Sequence, residues 1–235
     1  MTRRLHRIDE VWHRLIPSRF PPVDVYERLG AADLGTVAKE IEDKTNPRLR
    51  AKAWLLDKTP ELGAASARLQ NWNHAPFAYR DPEGSTFLNP GYGVLEVVSG
   101  VRPALAWALR RRESFLGRTQ EPPMGMDMRL LVTQVKGDFV DLLDTPFEDD
   151  RERRWALGDE LYKGDAKGVL FRRPELPRSR ALAIFDNRVL GPTVQSAHYR
   201  FVWDGMVISK IYDFSDGEEI GRDDLLAECE GREAA

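Results

Sequence analysis

The chain has 235 residues, of which 42% are hydrophobic and 31% are charged, as is ordinary for a soluble globular protein with one large domain or two small ones. A formal net charge of −3 gives the whole chain no electrostatic basis for binding nucleic acid. No apolar run approaches the roughly 18 residues of a membrane-spanning helix, and no apolar segment of a signal peptide follows the basic N-terminus, so we expect a cytoplasmic protein. One cysteine and four scattered histidines predict neither a disulfide nor a metal site.

The first third of the chain predicts one strand followed by a helical and irregular elaboration. Residues 9–16 are typical of a strand, which ends where consecutive prolines remove backbone donors. The apolar spacing predicts a helix over 31–41 and a weaker one over 49–56. Residues 60–85 are rich in Pro, Asn, Gly and Ser and predict irregular surface chain. We therefore expect 31–80 to elaborate the main domain without forming a second one.

The stretch from 84 to 116 is the part around which the rest of the chain is organised. It opens with a Gly- and Asn-rich turn region, continues into a strand over 93–98, and turns again at Ser99-Gly100. A helix then begins at Val101, because apolar residues recur at the i, i+3, i+4, i+7 spacing of a buried stripe. A loop, a strand and a helix in this order predict one wall of a cleft, which Glu96 and Trp107 could face.

The second half predicts strands with one inserted helix. We expect a strand over 128–135, a turn at Gly137-Asp138, an apolar segment over 139–143 and an amphipathic helix over 147–162. Short β-like runs follow at 168–171, 181–185, 198–203 and 206–214. The pattern favours an α+β fold, with a single domain over 1–214 and an acidic tail over 215–235 that is either frayed or forms a short helix around Leu225-Leu226.

Several blocks, in this order, carry a resemblance to a known family. They are HRLIPSRFPPV (13–23) with TNPRL (45–49), the stretch 84–116, MDMRLLV (126–132), and the run from GVLFRR to FVWDG (168–205). Together they resemble the RES-domain family, whose better-known members are NAD+-degrading or ADP-ribosylating toxins of bacterial toxin–antitoxin pairs. The resemblance implies a compact mixed or antiparallel sheet with flanking helices, similar to ADP-ribosyltransferases. It also implies NAD+ as a possible substrate or ligand, no bound cofactor, an Xre-like antitoxin as a possible partner, and possible oligomers.

Carried over position by position, the resemblance places most of the family's working residues on other residue types. The family's loop arginine falls on Thr86, its strand tyrosine on Glu96, its helix glutamate on Trp107, and a serine falls near Arg173. Only the basic residue of the first strand, Arg14, is kept in kind. The resemblance therefore implies a cleft whose catalytic positions are substituted.

The residue types that are lost are those that the family's chemistry uses. Cleavage of the nicotinamide–ribose bond develops oxocarbenium character, which a nearby carboxylate stabilises, and arginine binds pyrophosphate with paired donors. Our leading hypothesis is an impaired member that acts by binding a partner or a nucleotide. The alternative is an active toxin that uses Glu96 as its carboxylate and Arg14 or Arg80 on phosphate. A third hypothesis is that the resemblance reports the fold alone.

Three features have both a structural and a functional interpretation. Trp107 lies off the apolar stripe of its helix, so it either contacts a ligand or packs under a loop, which is the commoner case. The arginine run 110–112 either attracts phosphate or an acidic partner, or is a solvated helix C-terminus, which we favour. We expect His13 and His198 to be packed or surface residues and not catalytic ones.

Overall fold

The computed structural model describes residues 3–18 and 70–231 of the chain. The helices predicted at 31–41 and 49–56 lie outside these ranges. Within them, no helix is long and apolar enough to cross a membrane.

The described ranges contain eight strands and four α-helices. The strands are β1 (Leu5–Pro17), β2 (Leu95–Val98), β3 (Met124–Asp141), β4 (Gly168–Arg173), β5 (Leu176–Ile184), β6 (Leu190–Trp203), β7 (Ile208–Asp213) and β8 (Glu219–Gly221). The helices are α1 (Asn71–Ala78), α2 (Val101–Leu116), α3 (Arg151–Lys163) and α4 (Arg222–Glu230). The predicted α+β class is confirmed.

The eight strands form one mixed sheet in the order β1-β2-β5-β4-β3-β6-β7-β8, with an additional pairing between β1 and β3. That pairing is antiparallel and runs from Leu5 opposite Val140 to Pro17 opposite Met128. Because β1 also pairs with β2, the strands β1, β2, β5, β4 and β3 close into a ring. The β3–β4 pair is parallel and the other pairs are antiparallel.

A buried apolar cluster fills this ring, and every strand of the ring contributes to it. Its members include Trp12 from β1, Leu95 from β2, Phe139 from β3, Leu170 from β4 and Leu182 from β5. Burial of such side chains contributes on the order of 1.5–3 kcal/mol each. A second apolar cluster packs α2 and α4 against the sheet. The two clusters fix the strand ends on which the site described below is built.

The turn predicted at Gly137-Asp138 is wrong, because β3 continues through both residues. Gly137 pairs with Ile8 of β1 in the extended ladder. A Cβ atom at this position would lie 2.9 Å from Cγ1 of Val189. The glycine is therefore needed for the close approach of a side chain and not for a change of chain direction.

Part of the segment predicted to be irregular, 60–85, instead forms the helix α1. Its attachment to β6 is polar: Nδ2 of Asn73 donates to the Gly191 carbonyl at 2.9 Å, and Oε1 of Gln70 accepts from the Thr193 amide at 2.7 Å. Tertiary hydrogen bonds thus hold a short helix whose local sequence, with Pro76 inside it, favours a loop.

The acidic tail contains a helix, the second of the two predicted alternatives. β8 pairs with β7, and α4 follows it directly. Leu225, Leu226 and Cys229 on α4 are buried against the sheet and α2. These residues form the inward-facing apolar stripe of a short amphipathic helix, and acidic side chains lie around them.

Candidate functional site

A cavity of about 830 Å³ opens between β1, α1, β2 and α2. The described residues of its wall include Arg14 on β1, Glu96 on β2, and Trp107 with Arg112 on α2. The loop between α1 and β2 contributes Gly84, Ser85 and Tyr92 to the same wall. The predicted cleft wall of loop, strand and helix is therefore present, and β1 with α1 forms another part of the wall.

Thr86, Glu96, Trp107 and Arg173 lie together in one contact cluster at the end of this cavity. Arg173 donates from Nη2 to Oγ1 of Thr86 at 2.8 Å and to Oε2 of Glu96 at 3.2 Å. The backbone amide of Thr86 donates to Oε1 of Glu96 at 3.0 Å. The guanidinium carbon of Arg173 lies 4.2 Å from the centre of the Trp107 ring. The positions that the resemblance identified as substituted thus contact each other and form one unit.

The two charged members of the cluster, Glu96 and Arg173, lie on β2 and β4, the two strands that flank β5. Glu96 on β2 and Val169 on β4 both pair with Ala183 of the intervening strand β5. Arg173 is the last residue of β4, and its side chain reaches back past β5 to the Glu96 carboxylate. The side chains of Glu96 and Arg173 are only 12% and 10% exposed, so the ion pair is shielded from solvent and stronger than a surface pair.

Helix α3 holds the loop that carries Thr86. Asp150 caps this helix by accepting from the amides of Glu152 and Arg153. Trp155 donates from Nε1 to the Ser85 carbonyl at 3.0 Å, and Arg154 donates from Nε to the Thr86 carbonyl at 3.1 Å. The predicted helix over 147–162 therefore begins later than expected, and its inner face positions the loop of the site.

Trp107 is buried although it lies off the apolar stripe of α2. The Arg173 guanidinium covers one face of its ring, and the Arg111 guanidinium lies 5.8 Å from the ring centre. Cations stack favourably on the electron-rich face of an indole. Trp107 also belongs to the second apolar cluster, which includes Phe87 and Leu88 of the loop, so it packs among apolar side chains as well as two arginines.

The Glu96 carboxylate is ionised and both of its oxygens are occupied. Burial acts to raise the pKa of Glu96, but the Arg173 charge and the hydrogen bonds from Thr86 outweigh burial and lower it. Oε1 accepts from the Thr86 amide and Oε2 from Arg173. This carboxylate is consequently a partner in a structural cluster, and it does not stand alone in the cavity.

Arg14 has no carboxylate partner among the described residues. Its Nη2 donates to the Trp72 carbonyl of α1, and its Nε is buried without an acceptor in the described part of the chain. Burial lowers the pKa of Arg14 to about 10, so the guanidinium is still charged at neutral pH. A buried guanidinium with donors to spare is a binding group for an anion.

The arginine run 110–112 is not a solvated helix C-terminus, because α2 continues to Leu116. Arg110 forms an ion pair with Glu230, and Arg111 forms one with Asp81 at 3.1 Å. Arg112 is partly buried in the cavity wall and has no ion pair with a described residue. The sequence pattern pointed to the run as a whole and not to Arg112 in particular.

Two other residues singled out in the sequence lie outside the cluster. Arg80 is exposed and is not part of the cavity wall, although its neighbours Tyr79 and Asp81 are. Nδ1 of His13 accepts from the Gly100 amide at 3.1 Å, and burial lowers its pKa. His13 is thus a packed residue beside the start of α2. Within 3–18 and 70–231, no group of three or more His, Cys, Asp or Glu residues is arranged to hold a metal ion.

The chain is similar to known proteins in sequence. The sequence model of a family described as "RES domain" matches residues 62–204. The "Uncharacterized protein y4oC" of Sinorhizobium fredii (strain NBRC 101917 / NGR234) is 45% identical over 227 residues, which is 94% of this chain and 97% of that protein. The family match spans Thr86, Glu96, Trp107 and Arg173, and Arg14 precedes it.

Proposed function

The chain belongs to the RES-domain family, and from this premise we propose that it holds a nucleotide in its cleft without breaking the glycosidic bond of that nucleotide. The observation that carries this proposal is the pairing of Glu96 with Arg173, with Trp107 stacked on the same guanidinium. A carboxylate that serves cleavage must face the developing positive charge of the ribose. In this protein the Glu96 carboxylate instead faces Arg173.

The charges of the cluster support a site that binds a nucleotide without catalysing cleavage. A carboxylate stabilises an oxocarbenium-like transition state through its negative charge, which the adjacent Arg173 charge already offsets. The family's glutamate position is Trp107, which supplies neither a base nor a negative charge. Loss of several groups that act as one unit leaves little catalysis, because their contributions are not additive.

The wall of the cavity supports nucleotide binding. Arg14 supplies a cation with an unused buried donor, and Trp72 and Tyr92 supply aromatic surface for a base or a nicotinamide ring. Apolar residues such as Leu15 and Val94 complete the wall. A mostly apolar pocket with a few fixed polar groups is typical of small-molecule sites.

A second candidate function is an active toxin that consumes NAD+ or ADP-ribosylates a target. The observation that favours it is that Glu96 is ionised and lines the cavity. In this case substrate binding would have to displace Arg173 from the carboxylate. Glu96→Gln would then abolish turnover and relieve any growth arrest that expression of the protein causes.

The deciding experiment uses the purified full-length protein. NAD+ consumption is followed by chromatography with and without inorganic phosphate, and nucleotide binding is followed by calorimetry. We expect binding of a nucleotide without consumption of NAD+ above the buffer rate. Arg14→Gln should weaken binding, and Arg7→Gln, an exposed arginine on the same strand, is the matched control.

Steady consumption of NAD+ by the wild-type protein would overturn the proposal in favour of the active toxin. Absence of both binding and turnover would overturn it in favour of a protein-binding role. A partner such as the Xre-like antitoxin that the resemblance implies would then be sought by pull-down with the products of neighbouring genes.

A further inference from the structure

Each carboxylate in the described wall of the cavity is paired with an arginine. The two wall carboxylates are Asp81 and Glu96. Asp81 lies 3.1 Å from Arg111 of the wall, and Glu96 lies 3.2 Å from Arg173, which is not part of the wall. Neither acid therefore has its full charge available to balance another cation in the cavity.

Two guanidinium groups remain in the wall without an ionic partner among the described residues. They are Arg14 on β1 and Arg112 on α2, and these two elements pack against each other. Arg14 donates only to the Trp72 carbonyl, and its Nε is buried without an acceptor in the described ranges. Arg112 forms neither an ion pair nor a hydrogen bond with a described residue.

These two unpaired charges lower the stability of the protein when no ligand is bound. Burial lowers the pKa of both guanidinium groups, and for Arg112 the adjacent Arg111 charge lowers it further. An uncompensated, desolvated charge is unfavourable unless it gains a partner, and such groups cluster at binding sites. Two such guanidinium groups in one cavity favour a ligand that carries two negative charges close together.

We propose that Arg14 and Arg112 bind the terminal phosphate of a nucleoside monophosphate. This inference rests on the proposed function, since it takes the ligand to be a nucleotide, and it names the class of that nucleotide. A phosphomonoester carries close to two charges at neutral pH and three terminal oxygens. The pyrophosphate of NAD+ also carries two charges, but they are divided between two phosphates and the nicotinamide ring adds a positive charge, so NAD+ presents less negative charge to the two arginines than a phosphomonoester does.

The aromatic part of the wall fits the same ligand. Trp72 and Tyr92 line the cavity together with the two arginines. Aromatic side chains stack on nucleobases whatever the base, because every base presents a π-face. A monophosphate therefore pairs its charge with the arginines and its base with the aromatic wall.

The test is a set of calorimetric titrations of the full-length protein at low ionic strength with AMP, adenosine and NAD+. We expect AMP to bind at least about tenfold more tightly than adenosine and NAD+, because charge-assisted hydrogen bonds from arginine contribute strongly. Arg112→Gln should lose roughly tenfold in AMP affinity and leave adenosine affinity unchanged. Arg102→Gln on the same helix, an exposed arginine paired with Glu228, is the matched control. The AMP advantage should shrink below about pH 6, where the phosphomonoester takes up a proton.

The outcomes separate this inference from the proposed function. Three outcomes would overturn the inference but leave the proposed non-catalytic nucleotide site in place. They are equal affinities for AMP and adenosine, tighter binding of NAD+ than of AMP, and equal losses of AMP affinity in Arg112→Gln and Arg102→Gln. Consumption of NAD+ would overturn the proposed function whatever the AMP affinity. Absence of binding by all three probes would overturn both.

Discussion

The Arg173 guanidinium stacks on the Trp107 ring at 4.2 Å, so two residues at positions where the resemblance implies substitution contact each other. The resemblance implies that the indole stands in place of a carboxylate and the guanidinium in place of a hydroxyl. Arg173 thus gains a cation–π contact in addition to its hydrogen bonds with Thr86 and Glu96. The two side chains are complementary, because a guanidinium is attracted to the electron-rich face of an indole.

The first prediction concerns the ion pair between Glu96 and Arg173. Arg173→Met should lower the free energy of unfolding by about 2–4 kcal/mol, because it leaves a shielded carboxylate without its cation. Glu96→Gln should cost less, because Thr86 still offers its amide to a neutral acceptor. The double variant should be more stable than the sum of the two losses implies, which urea unfolding of all four proteins measures. Strictly additive losses would show that the pair does not interact.

A second prediction concerns the contact between α3 and the loop that carries Thr86. A Cβ atom at Gly158 would lie 1.7 Å from the Phe87 carbonyl oxygen, so the helix and the loop must separate in Gly158→Ala. We expect this variant to lose about 1–3 kcal/mol of stability, the usual cost of overpacking. It should also weaken nucleotide binding, because the separation shifts the loop wall of the cavity.

Gly164→Ala is the control for this contact. Gly164 follows the same helix, and a Cβ atom there would meet the Glu160 carbonyl at an ordinary 3.4 Å. Thermal unfolding and nucleotide titration of both variants provide the comparison. If the two alanine variants behaved alike, the close packing of α3 on the loop would not control the site.

Local patterns in the sequence were sufficient to predict most of the individual elements. The apolar stripe from Val101 predicted α2, and the largely apolar run over 128–135 predicted the centre of β3. Sequence patterns that depend on contacts between distant residues led to wrong predictions. Gly137 reads as a turn residue, but the glycine makes room for Val189, which lies 52 positions away (189 − 137).

The candidate site was predictable only in part, for the same reason. The sequence placed Glu96 and Trp107 on one wall, because both belong to a continuous loop, strand and helix. It did not predict that Arg173 binds Glu96, since this pair depends on β5 lying between β2 and β4. The basic residue type at 173 was a visible signal, but the pairing is a property of sheet order.

A third prediction is that Arg14 lowers stability in the absence of ligand. Its guanidinium is desolvated and has one backbone acceptor among the described residues. Arg14→Met keeps much of the apolar stem and removes the charge, so we expect the free energy of unfolding to stay unchanged or to rise by about 1 kcal/mol. Nucleotide affinity should fall in the same variant. Denaturant unfolding without ligand gives the first quantity and calorimetry the second; a large loss of stability would assign Arg14 a purely structural role.

The last prediction concerns the pH dependence that His13 contributes. In the folded protein its Nδ1 accepts from the Gly100 amide at the start of α2, and burial lowers the pKa of the imidazole from its usual value near 6.5. The unfolded chain therefore binds a proton at a higher pH than the folded protein does. The stabilisation from neutral His13 is complete above about pH 6.5 and is lost as the pH falls through the folded-state pKa. A protonated imidazole at this position would also place a positive charge beside a helix N-terminus, where the helix dipole disfavours it.

The measurement is the free energy of unfolding between pH 5 and pH 8 for the wild type, His13→Gln and His198→Gln. His13→Gln keeps an acceptor for the Gly100 amide and removes the titration, so its stability should fall less steeply toward acid than that of the wild type. The difference amounts to about 1.4 kcal/mol for each pKa unit that separates the folded and unfolded states. His198 is exposed on β6, and its substitution should leave the wild-type pH profile unchanged. Parallel profiles for the wild type and His13→Gln would show that protonation of His13 is not coupled to folding.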